Sequence, residues 1–132
     1  MTIERRRHPR FETSLSCRVL MDDDEVLPAT VANLSVSGLQ MLCDRDIALR
    51  ILPKGHAASI DPSLRVHVEL PLSGAGADPG WVAMTARVLM VRRLAENHYC
   101  LHMEYTDAPD DVRHSLVAYL EVELGRATPP AH

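Results

Sequence analysis

Aromatic side chains are scarce in this sequence: one Trp, three Tyr and one Phe among 132 residues. A small barrel that binds DNA or RNA uses aromatics interleaved with basic residues as stacking platforms. Five aromatics on a chain of net charge −4 do not provide them. Long apolar runs are also missing, so no segment is expected to insert in a membrane. The basic start, Met1 to Arg7, is not followed by the apolar stretch of a secretory signal, which makes the cytoplasm the expected location. Cys17, Cys43 and Cys100 are odd in number and form no Cys-x-x-Cys pair, so neither a disulfide framework nor a zinc knuckle is suggested. Buried, reduced thiols are the expectation. No local spacing marks a nucleophilic triad or a paired acid and base, and the chain reads as a non-enzyme needing no cofactor.

What is present is the composition of one globular domain: 46% hydrophobic and 24% charged residues in a length that can bury one modest core. The charge is segregated. Residues 1–12 carry Arg5, Arg6, Arg7 and Arg10 against Glu4 and Glu12, a local +2, so the overall −4 leaves −6 on the other 120 residues. A cationic arm is attached to an acidic body.

Period-2 alternation predicts strands. Leu15, Cys17, Val19 and Met21 alternate with polar residues, and Asp22–Glu25 reads as a solvated hairpin tip. Further strands are expected near Leu27–Asn33, Leu39–Cys43, Leu64–Leu70, Trp81–Arg92 and Tyr99–Tyr105, with a flexible reversal at Ser73–Gly80. Residues 44–62 read as a long connection with one helical turn. Val112, Leu116, Tyr119, Leu120 and Leu124 keep helical spacing, with Asp107 as N-cap, Pro109 in the first turn and Gly125 as stop signal. Six short antiparallel strands hide their edges best by closing. The predicted fold is therefore mostly β, a six-stranded antiparallel β-barrel with a C-terminal α-helix. The expected layout is an arm over 1–12, barrel and helix over 13–125 and a loose tail over 126–132.

Two short motifs carry chemistry. Arg6-Arg-His-Pro-Arg10 sets two guanidinium groups four residues apart, about 13 Å if extended. Pro9 fixes its own φ and biases His8 toward extended geometry. Arginine forks onto guanine O6 and N7 or onto phosphate oxygens, and it also stacks on bases. In Asn33-Leu-Ser35-Val-Ser-Gly38, Asn33 and Ser35 are expected on one face of a strand end, with Gly38 permitting positive φ or a close backbone approach.

Together, one hairpin apart, these motifs resemble the signature of the PilZ domain family, Arg-x-x-x-Arg followed by Asp/Asn-x-Ser-x-x-Gly, and the resemblance covers nearly the whole chain. It implies a receptor for the second messenger cyclic di-GMP. Arg6 and Arg10 would hold guanine and phosphate, Asn33 and Ser35 would meet the other guanine edge, and Gly38 would shape the turn. Arg5 and Arg7 would be further contacts, Arg5 resembling the variant that stacks on guanine and favours two intercalated ligands. Two departures stand out. Asn33 occupies a position where Asp is commoner, and an amide carbonyl is the weaker acceptor. His102 stands where many members have glycine. The resemblance further implies a ligand-driven change in conformation or association, including a ligand-bridged dimer, that regulates a protein partner in motility, exopolysaccharide output or biofilm formation. The alternative is an adaptor of the same fold that does not bind nucleotide.

His98, Cys100 and His102, with His67 on a neighbouring strand, raise the question of a metal. Same-face positions on one strand are about 6.6 Å apart and form a line rather than a tetrahedron, so no metal site is expected. Trp81 is expected in the core.

Overall fold

The computed structural model describes residues 11–52, 60–72 and 80–127. Alternation in β1 (Phe11–Leu20) turns Leu15, Cys17 and Val19 to one side, where β2 (Val26–Leu34) adds Leu27, Val31 and Leu34. β3 (Gly38–Cys43) supplies Leu39, Met41 and Cys43, β4 (Val66–Leu72) supplies Val66, Val68, Leu70 and Leu72, and β5 (Gly80–Ala95) and β6 (His98–Asp107) add Met84, Val88, Tyr99, Leu101 and Met103. Each such burial of a branched or aromatic side chain contributes about 1.5–3 kcal/mol. The strands close into an antiparallel barrel in the order β1-β2-β3-β6-β5-β4, with β4 returning to β1 through Arg18↔Glu69, Val19↔Val68 and Leu20↔His67. The predicted barrel of six strands with a C-terminal helix is the observed fold.

Two helices complete the core. α1 (Arg45–Ile51) starts at Asp44, whose side chain accepts from the Ile47 amide at 2.9 Å, while the Arg45 amide donates to Asn97 Oδ1 at 3.0 Å. Ala48, Ile51 and Leu52 reach the barrel interior, and Arg50 pairs with Glu25 on the β1–β2 hairpin tip. The helix is about two turns long rather than the expected one; beside its local cap at Asp44, the partners Glu25 and Asn97 that hold it come from side chains distant in sequence. α2 (Asp110–Ala127) packs Val112, Leu116, Tyr119 and Leu120 into the same core, against β5, β1 and β4.

Several boundaries differ from expectation. Asp107 is not the helix cap: it ends β6 opposite Thr85, and the first helical bond runs from the Arg113 amide to the Pro109 carbonyl at 2.9 Å. The helix also continues through Gly125 to Ala127. β4 begins at Val66, not Leu64, because Asp61 holds Ser63 through its amide and hydroxyl (2.8 and 2.7 Å) and the Leu64 amide bonds back to the Asp61 carbonyl. Trp81 is not in the core. It lies on the outer surface, 39% exposed, with the Arg18 guanidinium 3.6 Å above its ring and Glu69 paired to that arginine. Of the arm expected over 1–12, the reversal over 73–80 and the tail over 126–132, residues 1–10, 73–79 and 128–132 lie outside the described residues, while Phe11 and Glu12 belong to β1, Gly80 to β5 and Arg126 and Ala127 to α2.

The three thiols are free and buried, as expected. Burial pushes Cys17 and Cys43 up to about 12, reinforced by Cys43 for the first and by Asp44 and Cys100 for the second.

Candidate functional site

The polar motif lies where β2 hands over to β3. The pairing of these strands is Val31↔Met41, Asn33↔Gln40 and Leu34↔Leu39, with a register shift between Val31 and Asn33. That extra residue lets Val31 and Leu34, three positions apart, both face the core. Asn33 is thereby left on the outer surface beside Gln40, and its Nδ2 donates to Gln40 Oε1 at 3.1 Å.

Ser35 does not continue the strand face of Asn33. It is 6% exposed, and its hydroxyl turns into the chain reversal, accepting from the Ser37 and Gly38 amides at 3.2 Å each. It also lies 3.2 Å from the Gly38 carbonyl and 3.1 Å from the Ser37 hydroxyl. The Ser35 amide donates to the Gly38 carbonyl at 2.9 Å, closing the turn. A serine here satisfies backbone donors that the reversal would otherwise strand.

Gly38 is required by close approach rather than by positive φ. A Cβ at this position would overlap the Met103 carbonyl oxygen and come within 3.1 Å of Glu104 Cα, where β3 runs against β6. β6 grips the turn from below. The Tyr105 amide donates to the Ser37 carbonyl at 3.1 Å, and the Tyr105 hydroxyl, 3.1 Å from the Ser35 carbonyl and 3.2 Å from that of Gly38, donates into the pair. Burial pushes the phenol above its ordinary range, so it stays a neutral donor. Beside it, Arg87 Nε donates to Glu104 Oε1 at 2.6 Å.

Sequence reasoning missed both Gln40 and Tyr105. Tyr105 reads as one more residue in an alternating strand, and Gln40 lies unremarked inside the strand expected near Leu39–Cys43. Only strand register brings them to the motif, although each follows an apolar-polar alternation that could have suggested its face.

The structure thus places Asn33 at the end of β2, Ser35 in the reversal that follows and Gly38 at the start of β3. Arg5, Arg6, Arg7 and Arg10 lie outside the described residues. What is described is where the chain enters the barrel: Phe11 pairs with Leu34 and Glu12 with Asn33. The end of the arm is therefore anchored directly across from the residue preceding Ser35.

The remaining candidates do not converge. β4 pairs with β5 and β1, so β5 separates His67 from His98, Cys100 and His102 on β6, contrary to the neighbouring-strand placement considered from sequence. Among the described residues no three His, Cys, Asp or Glu side chains cluster as a metal site. A cavity of about 330 Å³, lined in part by Met21, Asp23, Arg50 and His67, lies at the other end of β1 from the turn. No described helix is long and apolar enough to cross a membrane.

Comparison with known proteins agrees with this architecture. No curated protein matches the sequence. Among solved structures, the chain is similar to the Bacillus subtilis inhibitor of motility MotI (13% identity, TM-score 0.66), covering 95% of this chain and 52% of that one. It is similar to the PilZ domain of Escherichia coli YcgR with c-di-GMP (14% identity, TM-score 0.62), covering 94% of this chain and 95% of that one. It is also similar to Borreliella burgdorferi PlzA in complex with c-di-GMP (13% identity, TM-score 0.59), covering 96% of this chain and 55% of that one. The chain thus spans about half the length of MotI and PlzA. At these identities the likeness concerns the fold. The family model described as PilZ domain matches residues 4–122, taking in the arm, the whole barrel and most of α2. The chain belongs to the PilZ domain family.

Proposed function

We propose that this chain is a cyclic di-GMP receptor module, with Arg6 and Arg10 of the arm and Asn33, Ser35 and Gly38 of the turn as its ligand site and Arg5 and Arg7 as secondary contacts. The observation that carries the reading is the pairing of Phe11 with Leu34. It anchors the +2 arm beside a rigid polar turn, so an anionic ligand with two guanines can meet both at once. YcgR and PlzA, each solved with this ligand, have the same fold.

Each part suits a different feature of the ligand. The arginine forks take phosphate oxygens and the O6/N7 edge of guanine, where charge-assisted bonds are strong. Asn33 offers a surface acceptor for the N1–H and N2–H donors of a guanine. Ser35 and Gly38 act chiefly by fixing the turn that holds Asn33, since the Ser35 hydroxyl is spent on backbone amides. Two phosphates neutralise the charge of the arm. The liganded module then presents a new surface, either to a protein partner or to a second ligand-bearing protomer, and the ligand shifts populations only by its preference for that state. No catalytic step is needed. Motility, exopolysaccharide output and biofilm formation are the processes such a module would serve.

Calorimetric titration tests the reading. Cyclic di-GMP should release or absorb heat at protein concentrations in the micromolar range. No heat and no competition at about 100 μM, equivalent to about 5.5 kcal/mol, would overturn it in favour of an adaptor that does not bind nucleotide. Apparent mass with and without ligand shows whether two protomers associate.

A further inference from the structure

We infer that Gln40 decides which end of the Asn33 amide faces the ligand, and so lets an asparagine read a guanine edge as a carboxylate would. The inference rests on the cyclic di-GMP reading above and gives that site a positioning residue outside its motif.

The argument starts from the chemistry of position 33. The guanine N1–H and N2–H are donors, so their partner must be an acceptor. A carboxylate presents an acceptor oxygen in either orientation, whereas an amide has one accepting and one donating end. An asparagine therefore works in only one of its two flipped states. In the wrong one, two donors face two donors and are left unpaired.

The structure shows one of the two arrangements. Asn33 Nδ2 donates to Gln40 Oε1 at 3.1 Å, which occupies the donor end of the amide. Among the described residues no donor to Oδ1 is seen. Gln40 is in place because the register pairs it directly with Asn33 across β2 and β3, at the distance where cross-strand side chains touch. Its neighbours Leu39 and Met41 are buried, which fixes Gln40 itself on the outer surface. The reciprocal arrangement, with Gln40 Nε2 donating to Asn33 Oδ1, would turn the Asn33 amide group toward the ligand. Gln40 is thus a specificity determinant acting through Asn33.

The test is a double-mutant cycle read by calorimetric titration of the whole chain with cyclic di-GMP. Lysine has only donors, so Gln40→Lys draws Asn33 Oδ1 toward itself. Affinity should fall about tenfold or more, the range expected for a lost paired contact to a base. This sign runs against simple electrostatics, since a cation has been added beside an anionic ligand. In the Asn33→Asp background the ammonium engages one carboxylate oxygen and leaves the other, so Gln40→Lys should then change affinity by less than about threefold. Equal losses in both backgrounds would overturn the inference. If neither the wild type nor Asn33→Asp binds, the receptor reading itself fails, and the orientation is still measurable without ligand by NMR. The Asn33 side-chain NH₂ should show one proton shifted downfield and slow to exchange, and Gln40→Leu should abolish both features. An unprotected Asn33 amide in the wild type would overturn the assignment on its own.

Discussion

Replacing Gly38 by alanine should unsettle the barrel, and the size of the effect follows from what surrounds that position. An added Cβ overlaps the Met103 carbonyl oxygen and lies 3.2 Å from Met103 C and 3.1 Å from Glu104 Cα. All three atoms are backbone, so no side chain can rotate away. β3 must instead lift from β6 at Gly38↔Glu104, lengthening the adjacent bond from the Tyr105 amide to the Ser37 carbonyl. Overpacking of this kind costs about 1–3 kcal/mol and the weakened hydrogen bond about 1 kcal/mol more. The stiffer unfolded chain of the alanine variant offsets about 0.5–1 kcal/mol. The net loss is about 1–3.5 kcal/mol, a fall in Tm of about 4–14 °C for a domain of this size. Gly80→Ala is the control, because a Cβ there meets nothing within 4 Å. Scanning calorimetry of both variants without ligand decides the matter. If Gly38→Ala melts within about 2 °C of wild type, or Gly80→Ala loses as much, the close-approach account of Gly38 is wrong.

Three further outcomes are expected. Arg6→Ala and Arg10→Ala should each weaken cyclic di-GMP binding by about tenfold to a hundredfold, the worth of a charged hydrogen bond, while leaving the melting temperature of the free protein unchanged; wild-type affinity in both would remove the arm from the site. Tyr105→Phe should cost about 1–2 kcal/mol in urea unfolding, because the Ser35 carbonyl loses its hydroxyl partner at 3.1 Å; an unchanged midpoint would show that the hydroxyl does not hold the turn. Stability should decline on the alkaline side. Cys17 and Cys43 sit at about 12 because burial favours the neutral thiol, against an ordinary value of 9.0. The unfolded chain therefore releases these protons first, so the stability they confer is complete below pH 9 and is lost progressively as pH climbs toward 12. Urea midpoints that stay level from pH 9 to 11 would contradict this.

The strands were legible because apolar and polar residues alternate along each one, and that alternation is the direct imprint of a half-buried sheet. Asn33 and Ser35 were recognisable as a motif but not as a geometry. β2 ends at Leu34, so the period on which a shared face is expected stops before Ser35, which closes the turn instead of facing outward. Partners across strands were invisible for a related reason. Gln40 and Tyr105 reach the site through register, a non-local property that no window of sequence contains. Trp81 misled for its size: large aromatics are usually buried, yet here an arginine covers the ring and leaves its edge in water. Asp107 misled because a good capping residue can also end a strand, and pairing with Thr85 claimed it.

The grip of β6 on the turn has an evolutionary corollary. Gly38 is held by the main chain of Met103 and Glu104, and Ser35 by amides of its own reversal, so selection for folding alone preserves both letters of the motif. A descendant that ceased to bind any nucleotide would keep its serine and glycine and drift first at Arg6, Arg10 and Asn33. Those three positions, with Gln40 read alongside Asn33, are where a lineage records whether it still listens to a ligand.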